Sequence, residues 1–136
     1  MEIVGIGTTI VECLRIGRLI ERHGEQFLTR VFTEREIRWC QARKRPLEHF
    51  AASWAAKEAI LKCLGTTWRP GMAWTDIEIR SEAVTGALRV ILRGALKELE
   101  QQHGIGAVLL STAHCRAYAT AYATAVRSHV PAQPGL

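Results

Sequence analysis

One carboxylate, that of Glu58, falls on an otherwise apolar stripe of a predicted helix. Residues three and four apart share a helix face, and at that spacing Glu58 is grouped with Leu47, Phe50, Ala51, Trp54 and Leu61. An inward carboxylate needs a compensating cation, because burying an unpaired charge is strongly unfavourable. Two interpretations are open: an internal salt bridge with a lysine or arginine, or a metal-binding or catalytic carboxylate.

His114 is a second residue whose type and place suggest chemistry. It lies at the predicted tip of a hairpin, in Ala113-His114-Cys115-Arg116. A cysteine beside a histidine can act as a nucleophile. Adjacent residues on a strand or tight turn point in different directions, however, so we interpret Cys115 as a structural cysteine near a site.

The charge of the chain indicates an anionic partner. The net charge is +5 at pH 7, and the isoelectric point is about 9.4. Two groups of basic residues contribute: Arg15, Arg18 and Arg22 at helical spacing, and Arg43, Lys44 and Arg45 just before Pro46. A solvated face is the ordinary interpretation of one such run. Two separate patches on one small chain favour anion binding.

Length and composition indicate one globular domain. The 136 residues are 48% hydrophobic and 23% charged, which is ordinary for a folded domain with its own core. No stretch resembles a secretory signal or a membrane span. The four cysteines are widely spaced and form no Cys-x-x-Cys pair, so we expect reduced thiols and a cytoplasmic location.

Cap and turn signals predict the helices that must position these residues. A short apolar strand from Ile3 to Ile6 should enter a tight bend at Gly5-Ile-Gly7. Thr8 and Thr9 should then cap a helix from about residue 10 to 23, ended by Gly24.

Two further helices are predicted on either side of Pro46. Thr33 and Glu36 have capping-box spacing, and the helix that they begin should end before Pro46. The long helix that carries Glu58 follows and should stop at Gly65.

The second half of the chain has strand signals. Residues 76–80 and 88–92 have strand character, and a short helix is expected over about 94–103. The stretch 117–125 alternates alanine with tyrosine or threonine, which is typical of a strand, and its alanine face would let a helix pack closely. Residues 128–136 should form a flexible tail, which leaves 1–127 as the single domain.

Three ordered segments resemble the holo-acyl carrier protein synthases, which are 4'-phosphopantetheinyl transferases. They are Gly5-Ile-Gly7-Thr-Thr9-Ile-Val-Glu12, then Arg30 to Glu36 with Trp54-Ala-Ala-Lys57-Glu58-Ala59, Lys62 and Gly65, and finally Leu110-Ser-Thr-Ala-His114. The resemblance covers about residues 3–126. It implies an α+β fold in which an antiparallel sheet packs against a long central helix.

The resemblance also implies an activity and a set of partners. Such enzymes transfer 4'-phosphopantetheine from coenzyme A to a serine of an apo-acyl carrier protein and release adenosine 3',5'-bisphosphate. By resemblance, this chain would form a homotrimer with sites between subunits. From its composition and motifs, we expect neither nucleic acid nor a membrane as a partner.

By the same resemblance, individual residues receive roles. Catalysis would involve Glu58, His114 and Lys62, with Glu58 as a magnesium ligand. The carrier protein would meet Arg15, Arg18 and Arg22. Coenzyme A would be bound by Arg43, Lys44, Arg45, Lys62, Gly65, Thr66, His114 and Cys115.

The sequence departs from the family pattern where the metal would bind. Thr9 stands in the position of an aspartate that is the second magnesium ligand, and Ser53 stands in the position of a basic residue. A hydroxyl is a poorer ligand than a carboxylate for a hard cation. We therefore expect magnesium to be absent or loosely held.

Three functional interpretations follow. The first is a working transferase with weakened magnesium dependence. The second is a catalytically silent paralogue that binds coenzyme A or a carrier protein without transfer. The third, a nucleic-acid binder, has no support beyond net charge. The retention of Lys57, Glu58, Lys62 and His114 favours the first.

Overall fold

The alternating segment near the C-terminus forms the central strand of the main sheet. The computed structural model describes residues 1–127, and the predicted tail at 128–136 lies outside the described residues. The helices and strands are β1 (Glu2–Glu12), α1 (Cys13–His23), α2 (Glu25–Val31), α3 (Glu34–Gln41), α4 (Pro46–Cys63), β2 (Ile77–Ser81), β3 (Leu88–Leu92), α5 (Gly94–Gln102), β4 (Ile105–His114) and β5 (Tyr118–Arg127).

These elements form an α+β fold in which α4 packs across an antiparallel sheet of order β1-β5-β4. The predicted alanine face is confirmed from residue 119 onwards, because all four alanines between 119 and 125 are buried, whereas Ala117 is exposed and precedes β5. Short side chains on the sheet let the backbone of α4 approach closely. Strands β2 and β3 form a separate antiparallel hairpin.

The prediction of a bend at Gly5-Ile-Gly7 is wrong, and so is a helix beginning near residue 10. Strand β1 continues to Glu12 because it pairs with β5 as far as that residue, with one register shift between Ile3 and Gly5. Instead, the two glycines let the backbones of β1 and α4 approach each other closely. A Cβ on Gly5 or Gly7 would lie 2.1 Å from the carbonyl oxygen of Cys63 or Ala59, respectively.

The predicted helix boundaries around α3 and α4 are confirmed. Thr33 and Glu36 form a complete capping box at the start of α3, and Pro46 begins α4. Gly65 ends α4 with φ of 74°. Its amide donates to the Lys62 carbonyl, and the next amide donates to that of Leu61, which is the Schellman pattern.

The inward orientation predicted for Glu58 is wrong. Glu58 is only half-buried, whereas the neighbouring Lys57 has a side chain with no solvent exposure. One residue along a helix is a rotation of about 100°. An internal salt bridge does exist on α4, but it does not involve Glu58. It joins Lys57 to Glu36 of α3.

Among residues 1–127, none of the helices combines the length and the apolar character that a membrane span needs. The thiols of all four cysteines are unpaired.

Candidate active site

A cavity of about 440 Å³ opens between α3, α4, the β2–β3 hairpin and β4. Both charged and apolar side chains line it, among them Arg35, Trp39, His49, Ser53, Arg80 and His114. A cavity of this size with convergent polar groups is the first place to look for a ligand site.

A row of three rings lines one end of this cavity, and the guanidinium group of Arg43 packs on the first of them. The guanidinium carbon of Arg43 lies 4.4 Å from the ring centroid of Trp39. The rings of Trp39 and His49 are 5.2 Å apart, and those of His49 and His114 are 4.8 Å apart, both edge to face. Chain segments distant in sequence therefore meet around the predicted site residue His114.

His114 is held by a carboxylate from the first turn of α4. Its Nδ1 lies 3.0 Å from Oε1 of Glu48, and Oε2 of the same carboxylate lies 3.5 Å from Arg45. The hydrogen bond from His114 lowers the pKa of Glu48 more than any other interaction does. Glu48 is thus an anion between a histidine and an arginine.

The predicted basic cluster lies beside His114. Arg43, Lys44 and Arg45 are exposed residues between α3 and α4, and two of them touch the histidine end of the cavity through Trp39 and Glu48. Their charge can attract an anionic ligand to this end.

Cys115 is exposed at the turn after β4. Its amide donates to the Tyr118 carbonyl, at 2.9 Å. Its carbonyl lies 3.6 Å from the thiol of Cys13. No hydrogen bond links Cys115 to His114 among the described residues, so the geometry offers no Cys-His dyad.

A second group of predicted site residues lies at the other end of α4. Glu58 and Lys62 are four residues apart and share a helix face. Lys62 Nζ donates to the carbonyl of Thr8 on β1, at 3.0 Å. The helix then ends at Gly65 and the buried Thr66, whose hydroxyl accepts from Arg69 at 2.9 Å.

Within one chain, the structure does not bring Glu58 and His114 together. Glu48, which touches His114, precedes Glu58 by ten residues on α4, and this corresponds to about 15 Å along the helix axis. Strands β1 and β4 are the two outer strands of the sheet. The Lys62 group therefore lies at the β1 edge, and the His114 group lies at the β4 edge.

The residues around Thr9 do not fit a magnesium site held by the protein. Thr9 lies two residues after Gly7, so both face α4 from the same side of β1. Gly7 approaches Ala59. Following β1 from Gly7 to Thr9 therefore leads towards the part of α4 that carries Glu58. The Thr9 hydroxyl is buried without a hydrogen-bond partner among the described residues. Glu58 alone contributes a carboxylate, and Lys62 brings a competing positive charge.

The described chain also holds no larger cluster of metal-binding side chains. Among residues 1–127, no group of three or more histidine, cysteine, aspartate or glutamate side chains is arranged to hold a metal ion. The Ser53 hydroxyl, at the other substituted position, is also buried and unpartnered within these residues.

The predicted partner-binding arginines share an exposed surface. Arg15, Arg18 and Arg22 are all exposed on α1, and none forms an ion pair with another described residue. Their guanidinium groups are accessible to a partner.

Sequence reasoning missed three residues of the histidine end: Trp39, Glu48 and His49. The first turn of α4 carries an acidic residue beside a histidine, and this pair was the available signal. Contact with His114 could not be foreseen, because the two segments are separated by 66 residues.

Comparison with known proteins gives consistent results. Residues 5–123 match the model of the 4'-phosphopantetheinyl transferase superfamily. A protein of Rhodopirellula baltica named holo-[acyl-carrier-protein] synthase is 45% identical over 122 residues, which are 90% of this chain and 96% of that protein.

Solved structures agree with the sequence matches. The crystal structure of holo-[acyl-carrier-protein] synthase from Neisseria meningitidis superposes with a TM-score of 0.83 at 32% identity, over 92% of this chain and 99% of that one. The Helicobacter pylori synthase, solved in complex with coenzyme A, superposes with a TM-score of 0.77 at 26% identity, over 89% of this chain and 99% of that one.

Proposed function

Because this chain belongs to the 4'-phosphopantetheinyl transferase superfamily, we propose that it transfers the 4'-phosphopantetheine group of coenzyme A to a serine of an apo-acyl carrier protein. The products are the holo-carrier protein and adenosine 3',5'-bisphosphate. The observation that carries this proposal is the 45% identity to a holo-[acyl-carrier-protein] synthase along 96% of that protein's length.

The chemistry explains why cationic side chains are needed. The serine oxygen attacks the phosphorus next to the pantetheine arm, and the bridging oxygen leaves with adenosine 3',5'-bisphosphate. Negative charge develops on the leaving oxygen and must be stabilised. Lys62 is the exposed cation at the β1 edge that can stabilise it, while Arg43, Lys44 and Arg45 can bind the phosphates on the adenosine side.

Glu58 is the proposed general base. A half-buried carboxylate without an ion pair to a described residue is available to accept the serine proton. Since the Thr9 region does not fit a protein-held cation, no step of this proposal passes through magnesium. Weak or absent magnesium binding is part of the proposal.

We further assign a homotrimer with each site shared between two subunits. One group of site residues lies at each edge of the same sheet, so a head-to-tail ring would place the β4 edge of one subunit beside the β1 edge of the next. The outer face of the sheet supports such an assembly, because apolar side chains are exposed there: Ile6, Ile10, Leu109, Tyr118 and Tyr122.

Subunit complementation tests the shared site. The Glu58→Gln and His114→Ala variants should each lose most activity alone. When the two are unfolded together and refolded, a fraction of sites will combine intact Glu58 with intact His114, and activity should return. Mixtures without any recovery would contradict sites between subunits.

A transfer assay tests the activity itself. We expect an apo-acyl carrier protein incubated with coenzyme A and this protein to gain the mass of phosphopantetheine. The four unpaired cysteines support a reducing, cytoplasmic setting, so the assay contains a thiol reductant. Binding of coenzyme A without any mass gain on several carrier proteins would favour the silent paralogue instead.

A further inference from the structure

Glu48 makes contacts that a stabilising role at the start of α4 does not explain. It lies in the first turn of α4, where any carboxylate is favoured by the helix dipole. Glu48 is nevertheless only 8% exposed. Its two carboxylate oxygens make separate contacts, one with His114 and one with Arg45. The dipole interaction requires neither of these contacts.

The contact determines how the His114 ring is oriented. Nδ1 points at Oε1 of Glu48, and a carboxylate only accepts hydrogen bonds, so the proton of this bond belongs to Nδ1. The other ring nitrogen, Nε2, makes no hydrogen bond with any described residue. The side chain of His114 is 30% exposed and lines the cavity, so Nε2 is the atom available to a ligand.

The neighbouring ring of His49 fixes the same imidazole from a different side. It packs edge to face against His114 at 4.8 Å. Burial first, and then the nearby His114 and Arg43, lower the pKa of His49. Of the two adjacent histidines, only His114 has a carboxylate within hydrogen-bond distance. His114 and His49 therefore differ in how well they can contact an anion, and His114 is the better suited of the two.

We infer that Glu48 is a positioning residue, which holds the proton of His114 on Nδ1 and directs Nε2 into the cavity to contact a phosphate oxygen of coenzyme A. This inference rests on the proposed function for the identity of the ligand. Glu48 itself touches no substrate and acts only through His114. Because the carboxylate already holds Nδ1, the His114 ring loses less conformational freedom when Nε2 contacts a ligand.

Two substitutions separate this role from a structural one. Glu48→Met keeps the length of the side chain and removes the acceptor, whereas Glu48→Gln keeps a neutral acceptor. Losing a charge-assisted hydrogen bond that orients a ligand contact corresponds to an effect on the order of tenfold. We expect Glu48→Met to raise the KM for coenzyme A by about that factor with a smaller change in kcat, and Glu48→Gln to recover most of the loss.

A double-mutant cycle with His114→Ala tests whether Glu48 acts through the histidine. We expect the Glu48→Met and His114→Ala double variant to be no worse than His114→Ala alone. Glu100→Gln, which removes the carboxylate of the Lys97–Glu100 pair on α5, outside the cavity lining, is the matched control and should leave the KM unchanged. Additive losses in the cycle, or an unchanged KM in Glu48→Met, would overturn the inference.

Nitrogen-15 NMR of the imidazole rings gives a readout that does not need activity. In the wild-type protein, His114 should carry a proton on Nδ1, and Glu48→Met should shift the population towards the tautomer protonated on Nε2. An identical ring spectrum in the two proteins would refute the inference. If the wild-type protein transferred nothing while this shift was observed, the proposed function would fail and the positioning role of Glu48 would stand.

Discussion

The ammonium group of Lys57 lies 2.9 Å from Oε1 of Glu36, and both side chains are buried. The same ammonium also donates towards the carbonyl oxygens of Val31, Trp74 and Ile77, at 2.6–3.1 Å. Burial lowers the pKa of Lys57, and the adjacent Glu36 opposes this shift. One lysine on α4 thereby connects α3, the end of α2 and the start of β2.

Removing this lysine should be severely destabilising. We expect Lys57→Met to reduce the free energy of unfolding by about 3–5 kcal/mol, since it leaves a carboxylate buried without its cation. The Lys57→Met and Glu36→Gln double variant should regain part of that loss, because the unpaired charge is gone. Urea denaturation measures both. Equal stability of the single variant and the wild type would contradict the assigned network.

Acid should weaken the fold through Glu78. Burial alone would raise the pKa of Glu78, but hydrogen bonds from Thr33, Arg80 and Arg93 outweigh it and the net pKa is lowered. A pKa that is lower in the folded state than in the unfolded state stabilises the fold. This contribution is fully present above the pKa of a glutamate in the unfolded chain, about 4.3, and it is lost as the pH falls through the lower pKa of the folded state.

Melting temperatures measured between pH 3 and pH 7 check this sign. We expect the wild-type Tm to fall towards the acidic end and Glu78→Gln to show a smaller fall, from a lower starting value. Glu100→Gln, whose carboxylate is paired on the surface of α5, should follow the wild-type profile. A Glu78→Gln profile parallel to that of the wild type would rule out this residue as a source of acid sensitivity.

The close contact between β1 and α4 should not tolerate a methyl group. A Cβ at position 7 would lie 2.1 Å from a backbone oxygen, so Gly7→Ala should cost about 3 kcal/mol or more. Gly17→Ala is the matched control on α1, where the nearest atom is a mobile methyl of Leu47 at 3.2 Å. We expect its effect to stay within about 1 kcal/mol, because alanine also favours the helix. Chemical denaturation of the two variants decides between them.

The exposed arginines of α1 should affect recognition of the carrier protein rather than turnover. Charge reversal in Arg15→Glu or Arg18→Glu should raise the KM for an acidic carrier protein and reduce its dependence on salt, with little change in kcat at saturation. Steady-state kinetics at two ionic strengths measure this. An unchanged KM in both variants would mean that these residues form only a solvated face.

Thr9 gives a prediction about metal dependence. A hydroxyl in place of a carboxylate removes one negative charge from this position on β1, and magnesium usually needs one or two carboxylates besides substrate phosphates. We expect the wild-type protein to retain activity in a chelator. Thr9→Asp should make transfer depend on added magnesium, and calorimetry should detect magnesium binding only in that variant. Complete loss of wild-type activity in the chelator would refute the argument.

Local signals in the sequence determined much of the fold. The alternation of alanine with larger residues predicted β5 and its close packing, because strand periodicity needs no information from elsewhere in the chain. The capping box at Thr33 and the stop at Gly65 were likewise predicted from short-range hydrogen bonding. The family resemblance added the architecture, and the structural neighbours confirm it.

Long-range pairing decided what the sequence left open. Gly5 and Gly7 resemble a bend, but pairing with β5 keeps them extended and the approach of α4 explains why they lack side chains. The apolar stripe predicted a buried Glu58, yet Lys57 is the buried charge, since a partner on α3 and three carbonyls compensate it there. Glu48 became part of the site only when β4 brought His114 to within 3.0 Å. Contacts between segments far apart in sequence have no local signature, so only the tertiary structure could place these side chains.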